Sequence, residues 1–242
     1  WPECRSIGKV REQGFCGSCW AFAAAAVITD RFCIHSGGRI RADFSAEDIL
    51  TCCNKVDCWG DPNDQCSGGR MDRAWQFLSE YGGVSGGDFL TNIGCKPYSK
   101  EIFKYATTSG CRPFCTNRNY PLSYRRDKKF VEYIKMIWTG NVEEIQDEIM
   151  NNGPVQVGMK VYEDFKLYKS GIYFHTRGGY SGGHSVKLIG WGVENGINYW
   201  LGVNSWGPKW GMNGIFKILR GVDESNIETF VLTGLPDLRS FG

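Results

Sequence analysis

All eleven cysteines of this 242-residue chain fall between Cys4 and Cys115. No other feature limits the fold as much. Cysteines at this density belong to an oxidising compartment, where disulfides staple loops that a core alone cannot hold. An odd total leaves at least one thiol unpaired in a monomer. The second half has no cysteine and must rely on apolar patterning.

Two of the eleven sit in Gln13-Gly-Phe-Cys16-Gly-Ser-Cys19-Trp20-Ala-Phe22-Ala-Ala-Ala-Ala-Val27-Ile28. A glycine-punctuated turn there runs into an alanine-rich segment that is apolar on all sides. Alanine is the strongest helix former, so the run predicts a buried helix starting at about Cys19. Asp30 and Arg31 end the apolar run, and Gly37-Gly38 closes the region. A cysteine in the first turn of a helix meets unpaired N–H groups and partial positive charge, which favour the nucleophilic thiolate. The plain alternative is half of a disulfide. Cys16-x-x-Cys19 also matches a redox motif, without the parallel βαβ pattern that accompanies one. Zinc is the competing reading of Cys52, Cys53 and Cys58. No paired Cys-x-x-Cys or His-x-His unit follows them, so no metal site is expected.

The chain is 42% hydrophobic, enough for one large domain or two small ones. A net charge of +2 and a pI of about 8.0 are too balanced for a nucleic-acid or acidic-membrane partner. The one basic cluster, Arg125-Arg126-Asp127-Lys128-Lys129, reads as a solvated face. No apolar run approaches the ~20 residues of a membrane span. The chain opens at Trp1-Pro2-Glu3-Cys4 without a signal peptide, which reads as one already removed. No Asn-x-Ser/Thr acceptor occurs.

Ser45-Ala-Glu-Asp48 is a capping box leading into Ile49-Leu50. The stretch 52–69 reads as a stapled loop, 70–80 as a short amphipathic helix, and 86–125 as a long loop region pinned by disulfides. Asn141 caps a helix over 142–150, stopped by Asn152-Gly153-Pro154. Strands follow at 155–157, 185–189, 197–201 and 214–219, with glycine-rich turns between them. A helical, disulfide-stapled first half and an antiparallel second half predict an α+β fold of two lobes, and chemistry often lies between lobes.

A thiol nucleophile needs a base, and there are three histidines. His35 follows Cys33 and reads as structural. His175 reads as a strand residue with its tip in water. His184, in Gly182-Gly183-His184-Ser185, opens the strongest strand, where glycine lets a ligand backbone come close. A lone histidine is usually only a satisfied surface or core residue. Asn204-Ser205-Trp206-Gly207 favours His184. Asn195-Gly196 is a hairpin turn, so the strands of His184 and Asn204 are neighbours. A strict hairpin pairs Asn204 with Lys187 and puts His184 and Asn204 on opposite faces. A one-residue bulge at Gly190, Gly192 or Gly202 restores the same face and is therefore predicted. The Asn204 amide oxygen then accepts from the imidazole and orients it, as the third member of a triad does.

These residues resemble the papain-like cysteine proteases, and within them the cathepsin B-like group, over essentially the whole chain. The stretch 13–22, Gly182-Gly183-His184 and Asn204-Ser-Trp-Gly-x-x-Trp-Gly211 carry the resemblance to the family. Trp1-Pro-x-Cys4, 45–53 and Gly94-Cys-Lys-Pro-Tyr-Ser99 carry it to the group. It implies a left, mainly helical lobe over 5–130 and a right, β-barrel-like lobe over 131–242, with both termini crossing to the opposite lobe and the active site in the cleft. Cys19 would be the nucleophile and His184 the base and acid. Asn204 would orient the imidazole, Trp206 would shield that contact, and Gln13 with the Cys19 N–H would form the oxyanion hole. Gly68, Gly69, Met71, Gly158, Gly183, Ser185 and Phe230 would contact substrate. The implied disulfides are Cys4–Cys33, Cys16–Cys66, Cys52–Cys111, Cys53–Cys58 and Cys95–Cys115, leaving Cys19 free. No cofactor is implied. The implied partners are peptide and protein substrates, an inhibitory propeptide and cystatin-type inhibitors. A monomer in a lysosomal, vacuolar/endosomal or secreted setting is expected.

Two departures alter the expected activity. Group members carry a long occluding loop with two histidines that hold a substrate's C-terminal carboxylate. Here the segment between Ser99 and Cys111 is short and has neither histidine nor cysteine, which predicts an endopeptidase with little dipeptidyl carboxypeptidase activity. Lys100 or Lys104 is the alternative anchor. Where the group has a glutamate that tolerates arginine, this chain has Phe230, which predicts an apolar or aromatic preference in the pocket before the cleavage-site residue. The rival readings are a disulfide-rich binding module and an inactive protease that only holds peptide.

Overall fold

A computed structural model of the chain describes residues 1–61, 63–138 and 140–241, and the side chains of these apart from 240 and 241. Helix α1, Cys19–His35, is buried on every face from Trp20 to Cys33. Its N-cap, Ser18, makes no capping bond, which forgoes about 1 kcal/mol. Full burial of Trp20, Phe22, Val27, Ile28 and Phe32 contributes about 1.5–3 kcal/mol for each large side chain, so packing holds the helix. Asp30 and Arg31, where the apolar run stops, stay inside the helix. Both are fully buried, and the helix runs on to His35 before Gly37 and Gly38, at φ +61° and +78°, turn the chain.

α2 is Ala46–Cys52. The Ser45 hydroxyl accepts from the Asp48 N–H, but Asp48 makes no reciprocal bond. Its carboxylate instead takes Lys96 at 2.8 Å, Lys128 at 2.9 Å and the Tyr124 hydroxyl at 2.7 Å. This overturns part of the solvated basic face. Arg125 and Arg126 are exposed, but Lys128 turns inward and Asp127 is buried, accepting from the Ser85 N–H and hydroxyl. The stapled loop holds a small hairpin, β1 Trp59–Asp61 with β2 Asp64–Gly69. α3 is Met71–Glu80, and α4, Lys100–Tyr105, is one turn and a half that the loop reading of 86–125 missed. Disulfides join Cys4 to Cys33, Cys16 to Cys66, Cys52 to Cys111, Cys53 to Cys58 and Cys95 to Cys115.

The second half forms β3 Val131–Trp138, α5 Val142–Asn152, β4 Val155–Tyr162, α6 Glu163–Lys166, β5 Ile172–Tyr173, β6 Tyr180–Glu194, β7 Ile197–Val203, β8 Ile215–Leu219 and β9 Phe230–Pro236. Asn141 caps α5 by accepting from the Glu144 N–H. The strands make one seven-stranded sheet in the order β3-β9-β4-β6-β7-β8-β5. It is not a closed barrel, because β3 and β5 remain edges. It departs from antiparallel once, where β5 runs parallel to β8. Asn195 and Gly196, at φ +52° and +79°, turn the β6–β7 hairpin. The register shifts between Leu188 and Gly190, so Lys187 pairs with Val203 rather than Asn204. That is the bulge the face argument requires.

Two apolar cores result. One gathers Trp20, Phe22, Phe32, Phe44, Trp75 and Phe77, and the other Val157, Phe165, Val186, Trp200 and Phe216. α1 lies in the seam, and the seam is polar. Gln156 donates to Trp20 O, Lys187 to Asp30, and Arg31 to Glu148, Gly153 O, Pro154 O and Gly234 O. The N-terminal segment crosses to the sheet, where the Gln13 N–H donates to Ser205 O and Glu12 bridges Trp206. Among the described residues no helix is long and apolar enough to cross a membrane.

Candidate active site

Cys19 is the unpaired cysteine and opens α1. The missing cap leaves the first-turn donors for other work. The backbone N–H groups of Ser185 on β6, of Trp20 and of Cys19 itself act on the sulfur in favour of its charged form. His184, the residue before Ser185, lines the same groove as Cys19. Its Nε2–H donates to Asn204 Oδ1 at 2.8 Å. The Ser205 N–H donates to that same oxygen at 2.8 Å. A backbone N–H only donates, so it fixes which end of the Asn204 amide is oxygen and hence which ring nitrogen carries the proton. Nδ1 of the neutral ring is left as the base. The Trp206 ring lies against His184 with centroids 4.7 Å apart and packs edge-on against Phe165 and Trp210.

Burial pushes the Cys19 thiol up despite its three N–H donors. Burial also pushes the His184 imidazole down to about 4, against the lift from Asn204. Each shift disfavours a lone charge. A proton moved from sulfur to ring would create both charges together, and mutual attraction at short range would offset the two costs. The first turn of α1 adds favourable potential on the sulfur side.

Gln13 is buried and anchored at both ends. Nε2 donates to Cys16 O at 2.8 Å, and Oε1 accepts from the Ser205 hydroxyl at 2.7 Å. One amide N–H remains for a ligand oxygen. Tyr98 props the turn from behind by donating to Gln13 O.

Gly68, Gly69, Met71, Gly158, Gly183, Ser185 and Phe230 line the groove with Cys19 and His184. A Cβ on Gly69 would fall inside the Trp20 indole, and one on Gly158 would meet Met71 Cε at 3.1 Å. A Cβ on Gly183 would meet nothing. The Ser185 hydroxyl is locked, accepting from Gln156 and donating to Met71 Sδ. Ser67, Arg70 and Asp72 also line the groove and went unnoticed in the sequence, where no pattern marks them. The other histidines stand apart. His35 bonds Asn152 O. His175 follows β5 rather than lying in a strand, stacks on Tyr162 at 3.8 Å and sets Nδ1 against Asp164. Among the described residues no group of three His, Cys, Asp or Glu could hold a metal.

A thiol at a helix start and an imidazole on the facing strand, with an amide behind the ring, define a thiol-dependent hydrolase. Comparison with known proteins agrees. The family described as papain family cysteine protease matches residues 1–235. The chain is 44% identical over 253 residues to cathepsin B-like cysteine proteinase 5 of Caenorhabditis elegans, covering 98% of this chain and 72% of that protein. Against cathepsin B-like cysteine proteinase 4 of the same organism it is 43% identical over 250 residues, with the same coverage. Procathepsin B S9 of Trypanosoma congolense superimposes with a TM-score of 0.83 at 35% identity, over 98% of this chain and 75% of that one. The fold also matches digestive procathepsin L 3 of Tenebrio molitor, at TM-score 0.72 and 22% identity over 95% of this chain and 67% of that one. The chain belongs to the papain family of cysteine proteases, on its cathepsin B-like branch. Family and disulfides together point to a lysosomal or secreted, oxidising compartment.

Proposed function

We propose that the chain is a cysteine endopeptidase acting through a Cys19 thiolate and a His184 imidazolium. The thiolate attacks the scissile carbonyl carbon, and the oxygen takes up the negative charge between the Gln13 amide and the Cys19 N–H. A donor of this kind is worth ~10²–10³ in rate. The tetrahedral species collapses as the imidazolium gives its proton to the leaving amine, and the C-terminal product departs from a thioester. His184 then takes a proton from water, hydroxide attacks the thioester, and the thiol is regenerated as the N-terminal product leaves. The observation that supports this reading is the Nε2–Asn204 bond, which leaves Nδ1 as the basic nitrogen of a ring that lines the same groove as Cys19.

Phe230 leans on Trp138 at 4.6 Å and packs beside Gly158 and Met71, and the acidic side chain on the groove, Asp72, is paired with Arg70 at 2.8 Å. Apolar or aromatic residues suit this pocket better than arginine. On the other side of the bond, α4 offers no histidine. It is fastened down by Phe103, whose O accepts from the Phe15 N–H and whose ring stacks on Phe89 at 4.3 Å. Lys100 and Lys104 are exposed and make poor carboxylate clamps. Supporting partners are a propeptide, as in the procathepsin neighbours, and cystatin-type inhibitors acting on a monomer in a lysosomal, vacuolar/endosomal or secreted setting.

The test is a peptide library assayed as free acids and as C-terminal amides, with Cys19→Ala as the blank. Amides should be cut as well as acids, with aromatic or aliphatic residues favoured before the cleavage-site residue. Dipeptide release restricted to free acids, or arginine favoured in that pocket, would overturn the specificity. Hydrolysis surviving in Cys19→Ala would overturn the mechanism.

A further inference from the structure

α1 carries the thiol and β6 the imidazole, and one buried ion pair joins these two elements. Asp30 lies about three turns beyond Cys19 on α1. Lys187 follows His184 on β6 and donates to Asp30 Oδ2 at 2.6 Å and to Ser6 O at 3.3 Å. The two side chains are 0% and 2% exposed. Burying such a pair brings little or no net stability, and an apolar pair of similar volume would hold the seam as well or better. An apolar contact can slide, however, whereas an ammonium held between a carboxylate and a carbonyl fixes a register.

A second observation points the same way. Asn204 Nδ2 is buried and has no protein partner. Asn204 and Lys187 line one narrow cavity of about 20 Å³ against Phe22, Ala23 and Ser185. That volume is enough for one water. The other cations lining it are paired, Arg11 with Asp88 and Lys9 with Asp43.

We propose that Lys187 is a positioning residue for the thiol–imidazole pair: it sets the register of α1 against β6 and, through one water in the cavity it shares with Asn204, steadies the amide that orients His184. The proposal rests on the function given above. A mere structural brace and a positioning residue differ in what repairs them.

The experiment compares Lys187→Met, Lys187→Arg and the double variant Asp30→Leu/Lys187→Met by melting temperature, by kcat and KM on one peptide amide, and by the pH profile of Cys19 alkylation with iodoacetamide. Lys187→Met should lower kcat by about 10- to 100-fold with KM within about threefold. Its alkylation profile should rise at higher pH, because the ion pair forms less readily. Lys187→Arg should keep kcat within about threefold of wild type, since it retains charge and donors. The double variant should melt within about 4 °C of wild type, a difference of a kcal/mol or so, yet keep the kcat deficit. Recovery of both stability and kcat in the double variant would show a brace and overturn the proposal. Should the wild-type chain hydrolyse no peptide, the proposed function fails. The alkylation profiles of wild type and double variant then decide the role of Lys187, an unshifted profile counting against it.

Discussion

The Ser205 hydroxyl donates to Gln13 Oε1 at 2.7 Å, across the line where the N-terminal segment meets the sheet. The same residue's N–H donates to Asn204 Oδ1. Ser205 therefore holds two amides, which in the proposed reaction serve the oxyanion and the imidazole. Ser205→Ala removes the hydroxyl and keeps the N–H. It should lower kcat by about tenfold with little change in KM, a fraction of the ~10²–10³ expected when the Gln13 donor itself is lost. Steady-state kinetics of Ser205→Ala beside Gln13→Ala checks this. Equal losses in the two variants, or none in the first, would show that Ser205 does not orient Gln13.

The charge argument for the thiol and ring makes a prediction of its own. In Cys19→Ala the thiolate is gone, while burial and the Asn204 acceptor remain, so His184 should titrate near 4. In the wild-type protein the imidazole should hold its proton to far higher pH. Histidine ring NMR resolves the two. The linkage has a definite sign. In the variant the folded value lies below the ordinary 6.5, so the unfolded chain binds the extra proton first. Stability is full above that ordinary value and falls as pH drops toward the folded one. An imidazole titrating alike in both proteins would remove the case for an ion pair.

The sequence made part of this site legible because the chemistry is written in short motifs. The helix start at Cys19, the glycines before His184 and the Asn204-Ser205-Trp206 run each place a group by local backbone alone. The bulge at Leu188–Gly190 was deducible too, because strand period leaves only one way to bring His184 and Asn204 to the same face. Other features depend on contacts between residues far apart in the chain. Asp30 and Arg31 mark the end of the apolar run in the sequence, but nothing local shows that they are buried, because their partners Lys187 and Glu148 lie in the other half. Lys128 looked solvated for the same reason until Asp48 is seen beneath it. β3 and β9 escaped notice because β3 is an edge strand with Tyr133, Met136 and Trp138 exposed, which blurs the alternation that marks a strand.

Asp48 is the clearest test of stability in the first lobe. It is fully buried between Lys96 and Lys128. Burial pushes its carboxyl up, but the two ammonium groups outweigh that and hold it below the ordinary carboxylate range. Asp48→Asn strands the buried Lys96 charge and should cost about 3–5 kcal/mol. For a chain of this size that is a fall in Tm on the order of 10 °C. Because the folded value is depressed, the contribution is present above the ordinary carboxylate value and is lost as pH falls through the folded one. The gap between wild type and variant should therefore narrow in acid. Thermal melts at neutral and strongly acidic pH measure it, and a gap that widened in acid would contradict the assignment.

The pocket before the cleavage-site residue can be reversed by one side chain if Phe230 closes it. Its walls are Met71, Gly158 and the Phe230 ring, and the Ser185 hydroxyl beside them is already committed to Gln156 and Met71. Asp72 on the same groove is already paired with Arg70, so an arginine entering would find no unpaired counter-charge, which costs several kcal/mol for a buried cation. Phe230→Glu supplies a carboxylate in place of the ring. Between two substrates that differ only at this residue, arginine against phenylalanine, the ratio of kcat/KM should move toward arginine by about 10-fold or more. Gly158→Ala acts differently. Its Cβ would come to 3.1 Å from Met71 Cε and narrow the opening without adding charge. It should depress phenylalanine more than valine at the same position and leave arginine poor. A Phe230→Glu variant whose preference did not move would place the base of the pocket elsewhere on the right-hand wall.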